Sequence, residues 1–214
     1  MPRPRLTVIA LLCVTAFAPA CDDKKEEPSK PAASKSDGKA AEEETLSAAE
    51  IYIRKSKASE AQVQLAKLSD SAAAYFMADH VERGATEVLA HRCPSDGTPE
   101  GSGTVTPPLS VNCNEGSKGN CNSGGSGPGG YDAKLWADDR VWQQLNFLIE
   151  GEHRFHYNFK WKNDPEGYGK CEFTAQAFAD LDDDGVYSTY ERSGTLDEEG
   201  FTPAAGLYID RQYE

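Results

Sequence analysis

The stretch DLDDDGVYSTYE, Asp180 to Glu191, has the residue types and spacing of a calcium loop. Counted from Asp180, carboxylates stand at positions 1, 3 and 5 (Asp180, Asp182 and Asp184), and Gly185 takes the sharp turn at position 6. Val186 then offers its carbonyl, Ser188 a ligand direct or through water, and Glu191 the closing carboxylate. Three carboxylates this close repel one another unless a cation sits among them. In EF-hands the last Glu returns on an exiting helix, whereas both flanks here read as strands, so Glu191 can point elsewhere. The competing reading is a β-hairpin whose Asp-Gly turn follows ordinary turn chemistry. The cofactor expected is thus a structural Ca2+ of extracellular-type affinity.

Cys93, Cys113, Cys121 and Cys171 are the second group. An even cysteine count in an exported chain reads as two disulfides, for which three pairings exist. A four-thiolate zinc site uses two close pairs, and the gaps of 19, 7 and 49 residues do not supply them. The sequence does not choose the pairing; a short Cys113–Cys121 loop with Cys93 bonded to Cys171 is preferred. His153 and His156 are spaced to lie on opposite faces of a strand start, with His80 and His91 near a helix end. They read as surface histidines. With no nucleophile elbow, phosphate loop or HExxH helix, no catalytic residue is assigned and the chain reads as a non-enzyme.

These groups must be positioned by a helix and a sheet. From about 46 to 82 the composition favours helix, and Ala58, Ala61, Leu65, Leu68, Ala72 and Tyr75 recur at steps of three or four as one apolar stripe. The segment 93–130 is saturated with Gly, Pro, Ser and Asn and reads as a loop that disulfides hold. WADDRVWQQLNF follows, burying Trp136, Trp142 and Phe147. HRFHYNFKW then alternates, with Phe155, Tyr157, Phe159 and Trp161 on one face and Arg154, His156, Asn158 and Lys160 on the other. KCEFTAQAFAD, VYSTYERSG and GLYIDRQYE complete four strands over about 152–214, with a turn from Asp197 to Pro203. The fold class expected is α+β, a long N-terminal helix on a four-stranded antiparallel sheet. The Ala face of the second strand would lie under the helix.

Upstream, MPRPR and an apolar run lead to APA before Cys21, the pattern of a secretory signal over 1–20. A small residue before a cysteine, with a polar tract after it, matches a bacterial lipoprotein signal in which Cys21 is acylated. It departs in having Ala18 and Pro19; the alternative is an ordinary cleaved signal. Residues 21–45 lack aromatic and large aliphatic residues and read as a disordered acidic and Lys-rich tether. Asp and Glu outnumber Lys and Arg by 35 to 22, a net charge of −13, which disfavours nucleic acid as a partner.

YIRKSKASEAQVQLAKLSDSAAAYF, Tyr52 to Phe76, resembles the amphipathic second half of the N-terminal helix of type IV pilins. CPSDGTP, WQQLNF, FHYNFKW, FTAQAFADLDDDGVYSTYERSG and GLYID follow in that family's order, so the resemblance runs from about Ala48 onward. The apolar half-helix that anchors a pilin and forms the filament core is replaced here by the charged tether. The resemblance implies a pilin-like domain over 46–214, re-anchored by lipid in the outer or inner membrane, in the periplasm or at the cell surface. It would act by contact with envelope proteins such as pilus or secretion-filament components, in an assembly or adhesion role. The alternative is a calcium-dependent ligand-binding surface lipoprotein unrelated to pili.

Overall fold

Ser47 starts the helix. Its hydroxyl accepts from the Glu50 backbone N–H and the Glu50 carboxylate accepts from the Ser47 N–H, a reciprocal capping box. The computed structural model describes residues 46–81, 88–89, 91–164 and 169–213; the expected signal 1–20, Cys21 and the tether 21–45 lie outside the described residues. Helix α1 spans Ala48–Met77 and buries Ala58, Ala61, Leu65, Leu68, Ser69, Ala72 and Phe76. The stripe therefore closes on Phe76, and Tyr75 is only half-buried, because 3.6 residues per turn carry the row from Ala72 to Phe76. Among the described residues no helix is long and apolar enough to cross a membrane.

A small hairpin, β1 (His80–Val81) with β2 (Val88–Leu89), follows the helix. The segment expected to be loop holds β3 (Glu100–Ser102), a 3-10 turn (Cys113–Glu115), β4 (Cys121–Ser123) and β5 (Gly130–Tyr131). Next come two short helices, α2 (Lys134–Ala137) and α3 (Arg140–Gln144), the latter capped by the Asp139 carboxylate. Then come β6 (Gly151–His153), β7 (His156–Asn163), β8 (Lys170–Ala179), β9 (Ser188–Asp197), β10 (Gly200–Pro203) and β11 (Tyr208–Asp210).

The large sheet is antiparallel and runs β3-β7-β8-β9, with β10 and β11 end to end along the far edge of β9. Among the described residues it has six strands, and a separate three-stranded sheet, β5-β4-β6, adjoins it in sequence. The expectation of a long helix on a four-stranded sheet is thus corrected. Both extra strands come from segments read as loop or turn, because ladder hydrogen bonds are made by backbone and do not require apolar side chains. Each is fitted by a glycine. A Cβ at Gly101 would lie 2.6 Å from the Trp161 ring, and one at Gly194 would lie 2.2 Å from the Phe201 ring. Phe201 in turn stacks on Phe173 at 5.8 Å, which draws β10 onto the sheet.

Helix α1 lies across β8 and β9. Ala175, Ala177 and Ala179 beneath it are fully buried, and their small side chains allow close approach. Beside Tyr157, the rings of Trp136, Trp142 and Phe147 pack at 5.1 to 5.8 Å. Two disulfides staple the long connection, Cys93–Cys171 and Cys113–Cys121. Chain entropy alone makes the first, closing 78 residues, worth about 4.5 kcal/mol, and the second, closing 8, about 2.5 kcal/mol.

Candidate functional site

The turn from β8 to β9 is built around one carboxylate. Asp180 Oδ1 accepts from the Asp183 N–H (2.7 Å) and the Asp184 N–H (3.2 Å), and its Oδ2 accepts from the Gly185 N–H (2.9 Å). Asp184 Oδ1 accepts from the Val186 N–H at 2.7 Å. This winding needs left-handed backbone at Asp183 (φ 68°) and Gly185 (φ 88°), the residue types that tolerate it. It brings one carboxylate oxygen each of Asp180, Asp182 and Asp184 within 4.8 Å of one another.

Ser188 and Glu191 stand outside this cluster. Ser188 opens β9, is fully buried, and donates from Oγ to the Ala179 carbonyl at 2.7 Å. Glu191 lies opposite Gln176 in the ladder and accepts from its Nε2. It thereby joins a polar row, Ser102–Asn158–Gln176–Glu191, across four strands. Alternation along β9 puts the two on opposite faces of the sheet, and each side chain is already committed to β8, Ser188 to the Ala179 carbonyl and Glu191 to Gln176. The Asp triad can therefore offer a hard cation three carboxylate oxygens.

Positive charge already faces the triad from α1. Arg54 Nη1 donates to Asp182 Oδ2 at 3.0 Å and also to the Tyr213 carbonyl. Lys57 Nζ donates to the Leu181 carbonyl at 3.1 Å, and desolvation, then the nearby Arg154 and Arg54 charges, lower its pKa. From the other side Asn114 Nδ2 reaches the Asp180 carbonyl (2.7 Å) and Asn112 Nδ2 reaches Asp183 Oδ1 (3.2 Å). The loop is thus clamped between the first turns of α1 and the 3-10 turn at Cys113.

The histidines at the strand start are not on the surface. His153 and His156 are 3% and 2% exposed: Tyr131 and Trp136 pack against the first, and Pro107 and Cys113 lie against the second. His153 Nδ1 donates to the Phe155 carbonyl (2.9 Å), and its Nε2 accepts from the Tyr131 hydroxyl (2.7 Å), which in turn accepts from Trp136 Nε1. Burial lowers its pKa to about 4, partly opposed by the Phe155 hydrogen bond. His156 Nδ1 donates to the Pro107 carbonyl at 2.8 Å, leaving Nε2 3.6 Å from Cys113 Sγ. Burial lowers its pKa as well.

Sequence reasoning did not find this Cys113–His156 contact or the Arg54–Asp182 pair. Their partners are 43 and 128 residues apart, so no local spacing signals them. No family model matches the chain, and neither the curated proteins nor the solved structures compared with it yield a match.

Proposed function

We propose that this chain is a non-enzymatic, lipid-anchored cell-envelope protein, type IV pilin-like in kind, that works through contact with pilus or secretion-filament components. The observation that carries the reading is the two-sidedness of α1. One stripe is fully buried, while Tyr52, Ile53 and Val63 stand 75%, 53% and 66% exposed. Large apolar side chains held out on a rigid helix suit a protein contact better than solvent. Two disulfides support an oxidising, exported setting. The order of the pilin-like motifs supports the choice of partner class, and the lipoprotein-type signal supports anchoring through Cys21.

Anchoring is tested by acyl labelling and membrane fractionation of the full chain and its Cys21→Ala variant in a bacterium that processes lipoproteins. Labelled wild-type chain in the membrane fraction, and unlabelled variant in the soluble exported fraction, is the expected result. An unchanged membrane share for Cys21→Ala contradicts it.

A second reading, a calcium-dependent ligand-binding surface lipoprotein, is favoured by the convergence of Asp180, Asp182 and Asp184. It predicts that calcium, and not a filament partner, governs ligand capture. A chelator that leaves partner crosslinking intact excludes it.

A further inference from the structure

We propose that the Cys113–Cys121 bond closes a latent metal site: once it is reduced, the two thiolates and His156 Nε2 bind one zinc ion in the protein interior. The three ligand atoms already lie within 4.8 Å of one another, and all three residues are buried. A tetrahedral zinc with ordinary Zn–S and Zn–N bonds needs a sulfur–nitrogen edge of about 3.6 Å. Cys113 Sγ and His156 Nε2 are 3.6 Å apart. Once the bond is broken, the sulfur–sulfur edge must open to about 3.8 Å.

His156 is set up as a ligand. Its Nδ1–H is committed to the Pro107 carbonyl at 2.8 Å, which fixes the tautomer and leaves the Nε2 lone pair facing sulfur. An outer hydrogen bond of this kind accompanies most metal-bound histidines. The backbones that carry the ligands do not depend on the disulfide for their positions. Cys121 lies in β4, in register with His153 of β6, and His156 is laddered to Phe178 of β8. The turn at Cys113 is closed by the Gly116 N–H (3.0 Å) and tied through Asn112 and Asn114 to the Asp180 loop. The other disulfide offers nothing similar, since Cys93 Sγ faces the Glu172 and Lys162 carbonyls.

The chemistry balances with a dithiol reductant. It delivers two electrons and two protons, breaking the S–S bond to give two thiols, and is itself oxidised to a disulfide. Zinc then displaces both thiol protons to solvent, and water fills its fourth position. Thiolate sulfur with imidazole selects such an ion over calcium or magnesium.

The test reduces the whole chain anaerobically and adds Co2+, then Zn2+. The expected result is a thiolate-to-cobalt charge-transfer band saturating at one equivalent and removed by zinc. Mass-spectrometric alkylation mapping of the wild-type chain should show zinc slowing modification of Cys113 and Cys121 by about tenfold or more, and not that of Cys93 or Cys171. His156→Gln should weaken cobalt binding by about tenfold or more while both disulfides still form on reoxidation. No band from a reduced chain that keeps its circular dichroism overturns the proposal. So do protection of Cys93 and Cys171 instead, full affinity in His156→Gln, and a reduced chain that unfolds and is not restored by zinc. Should His156→Gln fail to fold, the wild-type alkylation pattern decides alone.

Discussion

Arg54, in the second turn of α1, donates from Nη1 to Asp182 Oδ2 at 3.0 Å and so ties the start of the helix to the acidic turn between β8 and β9. The pair is partly sheltered, with side chains 16% and 25% exposed. It places a cation of the protein's own beside Asp180, Asp182 and Asp184, where an added ion must compete with it.

Arg54→Gln should therefore act in two directions. Without calcium it removes the Asp182 ion pair, leaving Lys57 as the nearby cation, and lowers stability by about 1 kcal/mol. With calcium it removes the competitor and enlarges the gain. In the wild type, calcium at five times its dissociation constant adds about 1 kcal/mol. Thermal melts of both chains in millimolar calcium and in chelator measure this. No calcium shift in either would leave the loop an Asp-rich turn and nothing more.

The two disulfides should differ in weight. Cys93→Ala with Cys171→Ala opens a closure of 78 residues and should cost about 4.5 kcal/mol, whereas Cys113→Ala with Cys121→Ala should cost about 2.5 kcal/mol. Denaturant unfolding of each pair tests the ranking. Equal losses, or the reverse order, would show that the long connection is held chiefly by packing against β7.

His153 should make stability fall with acid. Its folded pKa is lowered to about 4 from 6.5 by burial, so between those values the unfolded chain holds the extra proton. Its contribution is fully present above pH 6.5, declines as pH falls, and has lost about 3 kcal/mol near pH 4. The Tyr131 hydroxyl is the group facing its Nε2, and it stays neutral throughout this range because burial raises its pKa. Unfolding curves from pH 4 to 8 for the oxidised chain and for His153→Gln check this. The variant should lack that part of the slope, and an identical slope would place the titration elsewhere.

Gly194→Ala should destabilise by about 1 to 3 kcal/mol, because its Cβ would overlap the Phe201 ring held against Phe173. Adding Phe201→Ala should recover part of that loss, since the two changes share one contact. Strictly additive losses would mean that the clash lies elsewhere.

What the sequence made legible follows from how far each signal reaches. The stripe on α1, the alternation of Phe155 to Trp161 and the Ala run of β8 are local periodicities, and each is buried as its period implied, save that the stripe ends on Phe76 and not on Tyr75. Strands β3 and β10 were illegible because Gly, Ser, Thr and Pro carry no alternating apolar pattern; their pairing rests on backbone bonds and on room left for Trp161 and Phe201. The acidic loop was legible as a turn with three convergent carboxylates. The directions of Ser188 and Glu191 were not, since they depend on where β9 begins. The burial of His156 depends on Pro107, 49 residues earlier, and that of His153 on Tyr131, 22 residues earlier, contacts that no short window around them contains.

The proposed function rests on contact with a filament component through the outer face of α1. Photo-crosslinking residues placed at Tyr52 and Val63, both exposed, test it most directly when the full chain is in its native envelope. Adducts with a pilus or secretion-filament subunit are expected from both positions, and none from a control position at buried Leu65. Surface positions that yield no adduct, or adducts only with proteins outside any filament apparatus, would contradict it.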